Sequence, residues 1–137
     1  MERTLAILKP DAVAAGKTRA ILAHLKKEGF RVLGLKKLRL SAGQARAFYA
    51  VHRERPFYEP LVRFMTEGAV VVVALERDNA VSHLRKAMGA TDSRKAEPGT
   101  IRSLHGTDIE RNAIHGSDSL ENAAKEIGFF FSEAELF

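Results

Sequence analysis

The chain has 137 residues, of which 45% are hydrophobic and 28% are charged, a balance typical of an ordinary globular protein. It contains no cysteine, which excludes disulfide bonds and thiol catalysis, and its longest apolar runs, such as 69–75, are too short to span a bilayer. The formal net charge of +5 suits a phosphate-bearing ligand, although the basic residues are spread along the chain and form no block. We therefore expect a single domain over residues 1–137, without a leader peptide and located in the cytoplasm.

Short apolar runs bounded by charge, proline or glycine predict four strands. These runs cover residues 4–8, 30–38, 69–75 and 129–131. The run at 69–75 is almost entirely aliphatic, which predicts a central strand buried on both faces.

Apolar residues at helical spacing predict helices between and after these strands. The helical segments cover residues 18–27, 41–51, 61–66, 79–88 and 120–127. Capping boxes at Ser41–Gln44 and Ser132–Glu135 mark the start of one helix and of a terminal turn. From 90 to 111 the pattern dissolves into polar residues, which predicts a long loop, and loops of this length in compact domains are usually functional.

The order of these elements fits an α+β fold with a four-stranded antiparallel sheet and helices on one face. Several other α+β arrangements share the same order of elements. The order of elements alone therefore leaves the fold open.

A polar stretch from Asn112 to Ser119 places His115 beside Gly116, directly before the helix predicted at 120–127. Glycine removes steric bulk beside the ring, and a helix start offers N–H groups that attract anions. A histidine at such a place suits phosphoryl transfer or acid–base catalysis, and Glu126 on the following helix suits the task of holding its second ring nitrogen. The alternative is a loop histidine beside serines that only cap the helix.

Three further stretches stand out together with 112–119: Leu8-Lys9-Pro10-Asp11, Arg55-Pro56-Phe57 and Pro98-Gly99-Thr100-Ile101-Arg102. In order and spacing, the four stretches resemble the nucleoside diphosphate kinase family, and the resemblance extends over nearly the full chain. It implies a ferredoxin-like βαββαβ fold with a long loop near 90–111. It also implies transfer of the γ-phosphoryl group of a nucleoside triphosphate to a nucleoside diphosphate, by a ping-pong mechanism through a phosphohistidine on His115.

The resemblance also implies roles for individual residues. The residues expected to act in catalysis are His115, Glu126, Lys9, Tyr49 and Ser117. The residues expected to bind the nucleotide are Lys9, Phe57, Arg85, Thr91, Arg102 and Asn112. Arginine suits phosphate because its planar fork holds two oxygens at once, and a phenylalanine face stacks on any base.

The resemblance further implies the cofactor and the partners. Mg²⁺ is expected to enter on the nucleotide phosphates, without a metal site built by the protein. The expected ligands are nucleoside tri- and diphosphates such as ATP, GTP and GDP, and the chain is expected to form a homo-oligomer, either a hexamer or a tetramer. Neither a membrane nor an obligatory nucleic acid is expected.

The chain departs from the family pattern at two places in the predicted loop. Ser103-Leu104 replaces a usual Gly-Asp, and Asp92-Ser93 replaces a common Asn-Pro. Both put the conformation of the loop in question, although neither touches a residue assigned to chemistry.

Two other functions are alternatives to the kinase. A basic βαβ-βαβ domain invites comparison with RNA-binding modules, which carry aromatic residues on a central strand, but 69–75 has none. A catalytically inactive assembly module is the second alternative. The presence of His115, Lys9, Arg85 and Arg102 argues against it.

Overall fold

The computed structural model describes all residues 1–137 and contains one antiparallel sheet with strand order β2-β3-β1-β4. The strands are β1 (Glu2–Leu8), β2 (Arg31–Leu38), β3 (Val70–Arg77) and β4 (Ile114–Gly116). The helices are α1 (Pro10–Ala14), α2 (Thr18–Lys27), α3 (Ala42–Phe48), α4 (Tyr58–Met65), α5 (Ala80–Met88), α6 (Ile101–His105) and α7 (Leu120–Phe130). The predicted four-stranded antiparallel α+β fold is confirmed.

Both faces of the sheet are covered, because the central strands β1 and β3 are apolar at every buried position except Thr4. Alternate side chains point to opposite faces, so these strands feed two separate cores. One core receives Ala6, Leu8, Val71, Val73 and Leu75, and the other receives Leu5, Ile7, Val70, Val72 and Ala74. The prediction that 69–75 is buried on both faces is confirmed, whereas the expectation of helices on one face is wrong.

The helices divide between the two faces according to their buried residues. Helices α2 and α5 cover the first core through residues such as Ile21 and Leu84. Helices α3, α4 and α7 cover the second core through Ala45, Val62 and Ile127. The long loop and β4 close the sheet beside β1, where three residue pairs join the two strands.

The fourth strand is not where the sequence predicted it. Residues 129–131 end helix α7, with Phe131 as the C-cap, and the fourth strand is β4 inside the polar stretch. The helix continues because Phe129 and Phe130 pack their rings against Phe48 of α3, and this tertiary contact outweighs the strand preference of three consecutive phenylalanines.

Helix boundaries follow the prediction closely in some places and not in others. Helix α2 covers the predicted residues 18–27, and α4 begins three residues before the predicted start at 61. Pro10 begins helix α1, which was not predicted, because proline is favoured in the first turn of a helix. No helix is long and apolar enough to cross a lipid bilayer.

The predicted loop from 90 to 111 contains short regular segments. Asp92 accepts the N–H of Arg94 and so caps a 3-10 turn, Ser93–Lys95. Thr100 accepts the N–H of Ser103 and caps α6. Both departures from the family pattern therefore lie within ordinary capped turns.

Replacement of Leu84 by alanine tests the first core. Leu84 is fully buried in α5, so Leu84→Ala should lower the free energy of unfolding by about 2–5 kcal/mol through lost contacts and a residual cavity. Leu104→Ala is the control, because Leu104 is exposed and its loss should change stability by about 0.5 kcal/mol or less. Urea titrations followed by circular dichroism measure both, and equal effects would contradict the assignment of the core.

Candidate active site

A pocket of about 800 Å³ brings together residues from distant parts of the chain. Nine of the ten predicted site residues line it: Lys9, Tyr49, Phe57, Arg85, Thr91, Arg102, Asn112, His115 and Glu126. The tenth, Ser117, is fully buried and donates a hydrogen bond to Glu126. Arg55, which belongs to the stretch Arg55-Pro56-Phe57, does not line the pocket.

Strand β4 determines the direction of the His115 side chain. His115 lies opposite Ile7 of β1, and the alternation of the strand sends its two neighbours, Ile114 and Gly116, toward α5. A Cβ at Gly116 would come within 2.8 Å of the Met88 sulfur, so this glycine allows β4 to pack against α5. The glycine therefore serves packing on the face of the strand away from the imidazole.

A carboxylate on α7 holds the imidazole. Nε2 of His115 lies 2.8 Å from Oε1 of Glu126, and the hydroxyl of Ser117 donates to the same oxygen over 2.9 Å. The Ser117 oxygen accepts the backbone N–H of Leu5 at 3.3 Å, which fixes the hydroxyl in turn. Because the carboxylate accepts the hydrogen on Nε2, the neutral ring carries its free lone pair on Nδ1.

Two aromatic rings of α3 and its C-cap enclose the imidazole. Phe48 and Tyr49 lie edge-on to His115, with ring centroids 5.5 Å and 6.1 Å away. The Tyr49 hydroxyl is buried without a hydrogen-bond partner, and burial raises its pKa, so it keeps its proton. Phe48 was missed by the sequence analysis, and its position directly before Tyr49 was the available signal.

Two buried cations, Lys9 and Arg102, define what we call the cationic end of the pocket. Nζ of Lys9 donates to Oδ1 of Asn112 at 2.8 Å, and the Arg102 guanidinium donates to the carbonyls of Gly89 and Ile114 at 3.1 and 2.8 Å. Burial, aided by the charge of Arg102, lowers the pKa of Lys9 to about 8. Burial and the charge of Arg85 lower the pKa of Arg102 to about 10. Neither cation has a carboxylate partner, so this end of the pocket favours an anion.

The contact between Lys9 and Asn112 depends on a strained turn that the sequence did not reveal. Ala113 has a φ of 74°, in the left-handed region, and is completely buried. Oδ2 of Asp11 accepts the Ala113 N–H at 3.1 Å, and the Lys9 N–H donates to the Ala113 carbonyl at 2.8 Å. The aspartate in Leu8-Lys9-Pro10-Asp11 was the signal for this role, because a carboxylate suits a backbone N–H in a tight turn.

The pocket entrance carries polar groups that are free to meet a ligand. Arg85 and Thr91 are exposed, and their side chains make no hydrogen bond within the chain. Asn112 instead donates to the carbonyls of Thr91 and Ile109, at 2.9 and 3.2 Å, and so joins the two halves of the long loop. The side chains of Arg85 and Thr91 therefore extend the cationic end of the pocket toward solvent.

Two exposed apolar side chains mark a third part of the pocket. Phe57 is 48% exposed and Ile109 is 60% exposed, and both line the pocket. His52 packs against the Phe57 ring with centroids 5.2 Å apart. Ile109 was not predicted, because an isolated isoleucine in a polar loop gives no signal before the loop is folded.

The residues of the pocket do not form a metal cage. No group of three histidine, cysteine, aspartate or glutamate side chains could hold an ion. Three carboxylates line the pocket, at Glu110, Asp118 and Glu126. Glu126 is bonded to His115 and Ser117, whereas the hydrogen bond from Asn122 lowers the pKa of Asp118, so Asp118 is ionised. A single ionised carboxylate such as Asp118 fits a divalent cation that takes most of its ligands from elsewhere.

Comparisons with known proteins agree with this geometry. The family model described as nucleoside diphosphate kinase matches residues 2–136. The nucleoside diphosphate kinase of Nitratiruptor is 54% identical, with 99% of each chain aligned, and that of Chlamydia abortus is 53% identical over 99% of this chain and 96% of the relative.

Solved structures give the same result. The nucleoside diphosphate kinase of Aquifex aeolicus matches with a TM-score of 0.97 and 47% identity over 99% of each chain. The enzyme of Halobacterium salinarum, solved in complex with CDP, matches with a TM-score of 0.95 and 39% identity over 99% of this chain and 91% of that one. The chain therefore belongs to the nucleoside diphosphate kinase family and is a nucleotide-binding phosphotransferase.

Proposed function

We propose that residues 1–137 form one domain that transfers a γ-phosphoryl group from a nucleoside triphosphate to a nucleoside diphosphate through a phosphohistidine on His115. The contact between Glu126 and Nε2 of His115 carries this proposal, because it leaves Nδ1 as the nucleophile. The kinase family of the chain supports the same reaction.

In the first half-reaction, the Nδ1 lone pair attacks the γ-phosphorus of the triphosphate. An N–P bond forms, the bond from phosphorus to the β,γ-bridging oxygen breaks, and the diphosphate leaves with that electron pair. The positive charge gained by the ring is stabilised by Glu126, which holds Nε2–H throughout. In the second half-reaction, a β-phosphate oxygen of another diphosphate attacks the same phosphorus, and the N–P bond breaks.

The cationic end of the pocket would hold the phosphates. Lys9, Arg85 and Arg102 supply positive charge, and Thr91 adds a hydroxyl donor. Asn112 holds Lys9 in place and faces the sugar region, and the free Tyr49 hydroxyl lies beside the histidine ring as a donor for the transferred group. Mg²⁺ would be held by Asp118 together with phosphate oxygens, and when bound it neutralises charge on the phosphates.

Phe57 and Ile109 would form the two sides of a slot for the nucleobase. Both side chains are apolar and exposed, so they offer flat contact without reading a base edge. This arrangement supports acceptance of purine and pyrimidine nucleotides alike. The CDP complex of the Halobacterium salinarum relative is consistent with a pyrimidine in such a slot.

The family resemblance also supports a cytoplasmic homo-oligomer, a hexamer or a tetramer. The exposed apolar residues Val32 and Leu35 on the edge strand β2 favour self-association. An RNA-binding module is not favoured, because helices cover both faces of the sheet and leave no surface for base stacking.

Replacement of His115 tests the nucleophile. Incubation with γ-labelled ATP and Mg²⁺, without an acceptor, should label the wild-type chain with a phosphate that is stable in alkali and lost in acid. His115→Ala should carry no label and transfer no phosphate to GDP, because the other imidazole that lines the pocket, His52, packs against Phe57 and has no carboxylate to hold its ring. Ser117→Ala is the control and should still be labelled, and a label that maps to Ser117 would refute the proposal.

Replacement of Glu126 tests the positioning of the ring. Glu126→Gln keeps the size of the side chain but removes the charge that stabilises the phosphorylated ring. The kcat should fall by roughly 10- to 100-fold while KM changes by less than about twofold, because the group acts on the reaction and not on binding. Glu121→Gln on the same helix is the matched control, since Glu121 is exposed and pairs only with Lys125. Equal kinetics for both variants would contradict the role of Glu126.

The depressed pKa of Lys9 predicts a pH dependence of nucleotide binding. The pKa of Lys9 in the empty pocket is about 8, against an ordinary 10.5, so the side chain loses its charge as the pH rises through 8. Diphosphate affinity should therefore fall above pH 8, by up to about tenfold per pH unit. Calorimetric titrations with GDP between about pH 7 and 9.5 measure this fall.

Two further observations check the assignment to Lys9. Lys9→Arg should show a flatter profile, because arginine keeps its charge across this range. The unfolded chain binds a proton at Lys9 between pH 8 and 10.5, where the folded chain does not, so the contribution of Lys9 to stability should rise with pH in that window. An unchanged profile in Lys9→Arg would assign the pH dependence to another group.

A further inference from the structure

A compact turn in the long loop presents Ile109 to the pocket. The carbonyl of Arg111 accepts the N–H of Thr107 at 2.7 Å, and Oδ1 of Asp108 accepts the N–H groups of Glu110 and Arg111 at 2.9 and 2.7 Å. These bonds close the turn from 107 to 111 upon itself. Ile109 lies at its centre, so its position depends on where the whole turn is held.

The side chain of Arg111 leaves this turn and meets the far end of α4. Its Nη2 donates to Oε1 of Glu67 at 2.9 Å, and its guanidinium lies 4.9 Å from the centre of the Phe64 ring. Phe64 is buried in the second core and is therefore a fixed surface. Arg111 is the one residue of the turn whose side chain forms a hydrogen bond to this region of the chain.

Helix α4 connects this anchor to the base slot. Phe57 is the N-cap of α4, and Phe64 lies in its last turn, so one short helix carries both. At about 1.5 Å per residue, the helix is a rigid spacer of roughly 10 Å between the two. The turn that carries Ile109 is thus attached to the same helix that carries Phe57.

We propose that Arg111 sets the separation between Phe57 and Ile109 and so controls how tightly the slot holds a nucleobase. Arg111 does not line the pocket, so it acts as a positioning residue through the turn. The ion pair is half exposed on both sides, at 46% and 44%, so its contribution to stability is small and its effect is on geometry. The inference rests on the proposed function in one respect, that the slot receives the base of a nucleotide.

Calorimetric titration with two ligands tests this role. ADP has a base, whereas ribose 5-diphosphate keeps the sugar and phosphates and lacks one. Loss of a stacking side chain lowers affinity for a base by about 5- to 150-fold. Because Arg111→Ala only displaces one side of the slot, it should lower the affinity for ADP by roughly 3- to 10-fold. Its affinity for ribose 5-diphosphate should stay within about twofold of the wild type, since Lys9 and Asn112 remain in place.

Three variants make the experiment specific. Arg111→Lys should recover part of the ADP affinity, because the ammonium restores the charge without the planar fork. Arg94→Ala is the matched control, an exposed arginine of the same loop that pairs only with Asp92 and does not line the pocket. Glu67→Gln should lower the affinity for ADP less than Arg111→Ala does. The double variant should bind ADP no more weakly than Arg111→Ala alone.

Several outcomes would overturn the proposal. Unchanged ADP affinity in Arg111→Ala would show that Arg111 does not determine the separation between Phe57 and Ile109. Equal weakening of both ligands would show a general disturbance of the loop that reaches Asn112, and an equal effect of Arg94→Ala would show the same. Failure of the proposed function is separate, because it appears as a wild-type chain that forms no phosphohistidine, whereas these titrations do not require transfer.

Discussion

The pairing of β4 with β1 is the constraint on which the whole pocket depends. Only three residue pairs join these strands, but β1 and the residues after it hold the polar stretch at both ends. Ser117 exchanges backbone and side-chain hydrogen bonds with Leu5, while Lys9 and Asp11 bind the backbone of Ala113. The short strand is therefore held at both ends, and the direction of the imidazole follows from its place in the sheet.

The distribution of charge in the pocket lowers the stability of the folded chain and favours the binding of an anion. The imidazole end contains the carboxylate of Glu126, whose Oε1 accepts hydrogen bonds from both His115 and Ser117 within the chain. The other end contains Lys9 and Arg102, which are buried without a carboxylate and whose pKa values are lowered in consequence. Burial of unpaired charge opposes folding, and an anion between the two would remove that penalty. The unpaired Nε of Arg102 is a further sign that this end is incomplete without a ligand.

The sequence predicted most of the residues that line the pocket, but it did not predict every element that brings them together. Five of the helices and the central strands followed from apolar periodicity, and the pocket residues followed from the family resemblance that four short stretches carry. Strand β4 could not be read, because three residues give no period and its pairing with β1 is more than a hundred residues away in the chain. The prediction of a strand at 129–131 was wrong for a related reason. The packing of Phe129 and Phe130 against Phe48 is a tertiary contact, which local sequence does not reveal. Ile109 and Asp11 gained their roles only through the fold of the loop and of the turn at Ala113.

The three parts of the pocket are supported by different elements, and this separation has a consequence for the proposed reaction. The imidazole is fixed by β4 and α7, the cations by the residue after β1 and by α5 and α6, and the apolar slot by α4 and the long loop. A change of base therefore alters contacts in the last of these directly, and it reaches the cations only through Asn112, which bonds both Lys9 and the carbonyl of Ile109. A ping-pong enzyme needs this independence, because the nucleotide that leaves and the nucleotide that arrives differ in their bases while the phosphorus must occupy the same position against Nδ1 in both half-reactions. The part of such a site that adapts to the base is best confined to the slot, and the structure builds one side of the slot from a loop that a half-exposed ion pair attaches to the end of α4.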